Sequence, residues 1–180
     1  TNNGVVIESV TLKDGSIDAP SDINVNSLTI GRGSGTDTST NTAIGYQSLF
    51  NNTIGIDNTA TGYNALLSNT FGSRNTANGY EALKLATGSW NTAVGYSSLN
   101  ALSNGWSNIA VGHYAGIDVV NSKKNVFLGL NTGVNNIEAL YEESVTIGVG
   151  SKITASNQIM LGRSSETVQI PGDLNVTGTV

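Results

Sequence analysis

The chain has no cysteine, two prolines and a single histidine among its 180 residues. The missing cysteine removes disulfides and thiolate metal sites as staples for the fold. One histidine excludes a His metal cluster and leaves at most one base for a Ser-His-Asp arrangement. Charge is also scarce: charged residues make up 12 %, about half the usual share of a soluble domain. The eight Lys and Arg are scattered, so no basic stripe neutralises phosphates and nucleic acid is not expected as a partner. The longest apolar run is far below a membrane span and no signal-peptide pattern opens the chain, so no membrane insertion is expected. Large core-forming residues are few for a globular domain of this length. Disorder is not indicated either, because the apolar residues recur in register and net charge is only −5.

What the chain does have is one phrase written four times: Asn41-Thr42-Ala43-Ile44-Gly45-Tyr46-Gln47-Ser48-Leu49, then Asn58 to Leu66, Asn75 to Leu83 and Asn91 to Leu99. Its glycines, Gly45, Gly62, Gly79 and Gly95, fall at intervals of 17, 17 and 16 residues. A period this short suits one coil of a solenoid rather than a small domain. Degenerate copies extend the series to Gly31 on one side and to Gly112, Gly129, Gly148 and Gly162 on the other, with late intervals of 19 and 14. The sequence therefore predicts an all-β, parallel β-solenoid with coils of about 14–19 residues and short helical turns. Eight intervals from Gly31 to Gly162, at about 4.8 Å each, give a rod of roughly 40 Å.

The columns of the repeat indicate their surroundings. Two residues before the glycine stands Ala43, Ala60, Ala77, Ala93 or Ala110; with period two this alanine shares the glycine's face, which must be crowded. The residue between them is Ile44, Thr61, Asn78, Val94 or Val111, a column that tolerates polar groups and so faces solvent or a partly wet seam between chains. After the glycine come Tyr46, Tyr63, Tyr80 and Tyr96, and three residues later Leu49, Leu66, Leu83 and Leu99. Tyr-x-x-Leu is helical spacing, so a short helical or 3₁₀ turn burying both side chains is expected. Strands that offer alanine and glycine cannot bury long aliphatic stripes, and side-by-side packing of three chains is the simplest remedy.

Three segments follow. Residues 1–26 read as a β-rich lead-in, a hairpin or β-prism; residues 27–165 as the repeat solenoid, entered by a strand over 23–30 that meets the first coil at Gly31; residues 166–180 as a β-strand exit leading to a further domain. Beginning at Thr1 without a methionine, the chain reads as a piece of something longer.

Nothing in the sequence has the pattern of an active site, and no cofactor is implied. His113 occupies the Tyr column and reads as a tyrosine replacement. Glu142 and Glu143 are adjacent in the chain, and in extended backbone neighbours point to opposite faces, unlike a glycosidase pair. Gly31-Arg32-Gly33-Ser34-Gly35 lacks the Walker lysine and a following helix pattern. Lys123-Lys124 reads as a solvated charge run. Two features could meet a partner. Phe71, Trp90 and Trp106 lie in the segments that return the chain to the next strand; aromatic faces on a rigid rod suit sugar or protein recognition, or else cap the coil edge or fill a seam between chains. Thr42, Thr59, Thr76 and Thr92 form a file beside the asparagine file. One Thr file suggests an ice-binding solenoid, which would want two; the Asn file reads as a ladder satisfying turn backbone.

Asn-Thr-Ala-Ile-Gly and Asn-Thr-Ala-Val-Gly, with Ser144-Val145-Thr146-Ile147-Gly148, resemble the head repeat of the YadA-like trimeric autotransporter adhesins. The longer Asn-Thr-Ala-x-Gly-Tyr-x-x-Leu form is similar to YadA-like repeats in phage and large-virus tail fibres. So are the flanking segments Gly4 to Gly15 and Ile170 to Gly178. The resemblance implies a homotrimer of left-handed β-rolls and a structural or adhesive segment of a virion tail fibre that attaches to a host-surface glycan or protein. The alternative is the head of a bacterial adhesin at the cell surface.

Overall fold

The computed structural model describes residues 23–25, 28–31, 40–137 and 139–171. Its central element is a sheet in which eight short strands stack in parallel: β3 (Thr42–Ile44), β4 (Thr59–Thr61), β5 (Thr76–Asn78), β6 (Thr92–Val94), β7 (Ile109–Val111), β8 (Val126–Leu128), β10 (Val145–Ile147) and β12 (Ile159–Leu161). Each pairs with the next in register, Ala43 beside Ala60 and Ala60 beside Ala77. The intervals are those of the repeat, from 19 residues between Val126 and Val145 down to 14 between Val145 and Ile159. A second, two-stranded parallel sheet pairs β9 (Gly133–Val134) with β11 (Lys152–Ile153). The described chain is thus an all-β solenoid of about seven turns, roughly 34 Å long at about 4.8 Å per strand spacing.

Two expectations at the entrance are corrected. The strand expected over 23–30 is a pair, β1 (Ile23–Val25) and β2 (Leu28–Gly31), antiparallel with Val25 opposite Leu28. β2 is in turn antiparallel to β3, with Gly31 beside Ala43. Gly31 therefore opens no coil: an antiparallel strand caps the sheet edge and leaves seven intervals, not eight. The lead-in over 1–22 and the exit over 172–180 lie outside the described residues, and residues 166–171 form no strand.

Alternation within the strands sets the core. Ala43, Ala60, Ala77, Ala93 and Ala110 are fully buried, while the residues on either side point outward. The glycine closing each strand explains the small-residue rule. Gly45 has φ 132°, and a Cβ built on it would lie 2.4 Å from the carbonyl oxygen of Gly62 in the next coil. Stacked coils leave no room there for even a methyl group.

The turn after the glycine is not helical; no helix occurs among the described residues. The Ser48 amide donates to the Gly45 carbonyl and the Asn52 amide to the Leu49 carbonyl, two successive tight turns. Gln47 and Leu49 both take positive φ, 52° and 51°, as do Asn64 and Leu66 one coil on. A positive φ is unusual for leucine, and burial holds it here: Leu49, Leu66, Leu83 and Leu99 are fully enclosed. The tyrosines are not enclosed. Because the left-handed residues redirect the chain, Tyr46, Tyr63, Tyr80 and Tyr96 are between 41 % and 44 % exposed. They stack instead, with ring centroids 4.9 to 5.2 Å apart. His113 continues that stack on Tyr96 at 5.1 Å, the role its column implied.

At Gly116 the leucine column loses its side chain, and in the following strand Phe127 replaces the column's alanine. The exchange conserves volume. A Cβ on Gly116 would meet Leu99 Cδ2 at 2.6 Å and Phe127 Cδ2 at 3.3 Å, so the phenyl ring fills space that a leucine at 116 would have taken.

The asparagine file is a buried ladder. Each Oδ1 accepts the backbone N–H of the next asparagine: Asn58 on Asn41 at 2.8 Å, Asn75 on Asn58 at 2.9 Å, Asn91 on Asn75 at 2.9 Å, Asn108 on Asn91 at 3.0 Å. Each Nδ2 donates across the coil to a return-arc carbonyl, from Asn41 to Gly55 at 2.8 Å through Asn125 to Tyr141 at 2.8 Å. One side chain thus satisfies two buried backbone groups that the coil corner would leave unpaired.

Candidate ligand-binding cleft

The return arc runs from the leucine to the asparagine corner, and its columns are fixed by neighbours in the stack. Asn69 and Ala86 are 17 residues apart and equivalent, yet Gly72 and Gly88 are only 16 apart. The coil from Asn75 to Asn91 is therefore one residue short, and the missing position lies between Ala86 and Gly88. Hydrogen bonds align Thr87 with Thr53: the amides of Thr87 and Gly88 reach the Ser103 carbonyl at 2.8 and 3.3 Å, as those of Thr53 and Ile54 reach the Thr70 carbonyl at 2.9 and 3.1 Å. Gly88 thus stands directly after the threonine, where Ile54 precedes Gly55. In the coils on either side the missing position is filled by Phe71 and Asn104. The short coil leaves a notch between them.

That notch is a cleft of about 280 Å³ lined by Phe71, Thr87, Gly88, Ser89, Trp90, Asn104 and Trp106. The three aromatic residues singled out in the sequence come together here from three successive coils. Phe71, Trp90 and Trp106 are 57 %, 54 % and 36 % exposed. Polar atoms sit among them: Thr87 Oγ1 donates to Asn104 Oδ1 at 2.7 Å, which points the amide's remaining donors away from it. Ser89 Oγ accepts the Ser73 amide at 3.0 Å.

Both indoles are braced from a neighbouring coil, Trp90 from the coil that carries Phe71 and Trp106 from the coil beyond the cleft. The Arg74 guanidinium lies 6.0 Å from the Trp90 ring, and Lys123 and Lys124 lie 5.7 and 5.6 Å from the Trp106 ring. Each cation is itself paired, Arg74 with Asp57 at 3.7 Å, Lys123 with Glu142 at 2.9 Å and Lys124 with Glu143 at 2.7 Å. The hydrogen bond from Lys124 holds the Glu143 carboxyl below its ordinary range, and the same bond raises Lys124. These exposed pairs contribute little to stability; their consequence is orientation, since a cation over an indole restricts how the ring turns. The adjacent glutamates thus serve two different lysines, and the lysine run is an ion-paired rung rather than a free charge.

The sequence did not bring Thr87, Ser89 and Asn104 into the site. The signal was the single 16-residue interval, which says that a residue is missing but not where along the arc. Among the described residues no group of three or more His, Cys, Asp or Glu stands together as a metal site, and no helix is long and apolar enough to cross a membrane. Comparison of the chain with protein-family models, curated proteins and solved structures returned no match.

Proposed function

We propose that this chain is a non-enzymatic segment of a homotrimeric fibre of the viral or phage tail-fibre kind, in which three left-handed rolls pack side by side and present contacts to a host-cell surface. The observation that carries this reading is the outward face of the parallel sheet. In its C-terminal half that face is an exposed apolar surface of Val94, Ile109, Val111, Ile147, Ile159 and Leu161. Contiguous apolar surface on a protein marks an interaction site, and a rod in which five successive strands bury only alanine gains most by covering it with copies of itself. Toward the N-terminus the same face carries Thr42, Thr59, Thr76 and Asn78, a wetter continuation of the seam. Attachment then works by multivalency: three identical rods on one axis raise the effective concentration of every weak contact.

Ice binding is the weaker reading, because only β4 bears threonine at both outward positions, Thr59 and Thr61; one coil makes no flat pair of files. The trimer reading is tested by placing charge on the sheet face. Val111→Lys with Ile147→Lys is expected to convert a species of three chains into one, measured by light scattering during size exclusion. A double variant that keeps the mass of the unaltered protein would refute a seam on this face.

A further inference from the structure

The cleft of the short coil has a shape and a chemistry that the rest of the arc lacks. Elsewhere successive coils lie about 4.8 Å apart, too close for a ring to enter between side chains that each need about 3.5–4.0 Å of contact distance. Between Phe71 and Asn104 the spacing is two coils, about 9.6 Å, with the glycine of the short coil, Gly88, between them. That gap admits one ring. Its volume of about 280 Å³ falls just below the roughly 300–1,000 Å³ of sites for drug-sized ligands, which limits the occupant to one or two rings.

The lining is amphipathic in a particular way. The Phe71 ring offers an apolar face on one side and the Asn104 amide offers hydrogen bonds on the other, with the Ser89 hydroxyl and the two indoles at the rim. Every charge nearby is already matched: Arg74 by Asp57, Lys123 by Glu142 and Lys124 by Glu143. None of the lining residues is charged. A ligand that fits has one apolar face, a hydroxylated edge and no net charge.

We propose that the cleft formed by the one-residue deletion in the coil Asn75–Asn91 is a binding subsite for a neutral pyranose ring of a surface glycan. The ring's C–H face stacks on Phe71 and on an indole, and its hydroxyls bond to Asn104 and Ser89. This inference rests on the reading that the chain attaches to a surface, and it names the ligand class. Bracing by ion-paired cations is part of the design, since an aromatic side chain already held in place loses little freedom on binding. The cleft lies on the return arc.

The test uses the full chain and methyl β-glucopyranoside, methyl β-galactopyranoside and the methyl glycoside of N-acetylglucosamine, titrated to about 10 mM while tryptophan fluorescence is followed. The methyl glycoside of glucuronic acid is the charged comparison. At least one neutral glycoside is expected to give a saturable change and the charged one a weaker change or none. A serine inserted between Thr87 and Gly88, which restores a coil of ordinary length, is expected to weaken binding about tenfold or more, as are Trp106→Ala and Asn104→Ala. The point variants keep the test decisive if the insertion does not fold. No response to any neutral glycoside, preference for the acid, or unchanged affinity in both point variants overturns the proposal. Molar mass recorded on the same sample separates the two readings. A trimer that binds no sugar overturns the subsite and leaves the fibre. A monomer that binds sugar overturns the fibre and leaves the subsite.

Discussion

Removing one rung of the asparagine ladder gives the sharpest test of how this solenoid is held. In Asn75→Ala the backbone N–H of Asn91 loses its acceptor, now 2.9 Å away, and the Gly88 carbonyl loses the Nδ2 donor at 2.8 Å. Asn75 and Asn91 are fully buried, so water does not replace the acceptor of the Asn91 amide, whereas the half-buried Gly88 carbonyl, at the cleft, is within reach of water. The orphaned buried N–H costs roughly 1–3 kcal/mol, which puts the substitution at about 1–3 kcal/mol, a sizeable part of the 5–15 kcal/mol that roughly bounds a domain's stability. Asn51→Ala is the matched control. It removes the same amide from an exposed position on the return arc, away from the sheet face, and is expected to change stability by no more than about 0.5 kcal/mol. Urea denaturation followed by circular dichroism gives the two midpoints. Because each coil touches only its neighbours, amide exchange is expected to accelerate first at Asn91 and the adjoining rungs, while the rungs at Asn41 and Asn125 keep their protection. Equal midpoints for Asn75→Ala and Asn51→Ala would refute the claim that the ladder carries the coil corner.

Other substitutions test the remaining columns. Gly62→Ala places a methyl group 2.4 Å from the Gly79 carbonyl oxygen at φ 135°, and is expected to cost more than about 3 kcal/mol or to prevent folding, read from the denaturation midpoint and soluble yield. Phe127→Ala empties the space that Gly116 leaves, and is expected to cost about 3–5 kcal/mol; Gly116→Ala should not offset it, because its Cβ would meet Leu99 first. The Glu81 carboxyl lies below its ordinary range chiefly through a hydrogen bond from Lys84 at 2.8 Å. A lowered folded-state pKa contributes stability above the unfolded value, lost as pH falls through the folded one. Glu81→Gln should therefore narrow its stability gap to the unaltered protein as the pH is taken from neutral into the acid range below about 4, checked by urea midpoints across that range.

How much of this was legible in the sequence depended on how often a position was repeated. The alanine, glycine and asparagine columns recur in successive coils, so composition at each position reported burial directly, and coil lengths followed from simple counting. The turn after the glycine was misread because Tyr-x-x-Leu has helical spacing, while what shapes it is a positive φ at Gln47 and Leu49, residue types that do not announce one. Once the chain turns there, leucine goes in and tyrosine stays out. Gly31 was misassigned because Leu-Thr-Ile-Gly matches the strand but carries no information on direction, and an antiparallel cap uses the same alternation. The cleft was half legible. Its aromatic residues and the short interval were both in view, but aligning the arc needed Asn69 beside Ala86 and Gly72 beside Gly88, which only the stacked coils supply.

The central claim is that three of these rods make one fibre, and the direct test is the molar mass of the purified, unaltered chain by light scattering during size exclusion. The account predicts a stable species of three times the 18.6 kDa of one chain, unchanged on dilution. A folded protein that elutes at the mass of a single chain at every concentration would contradict it.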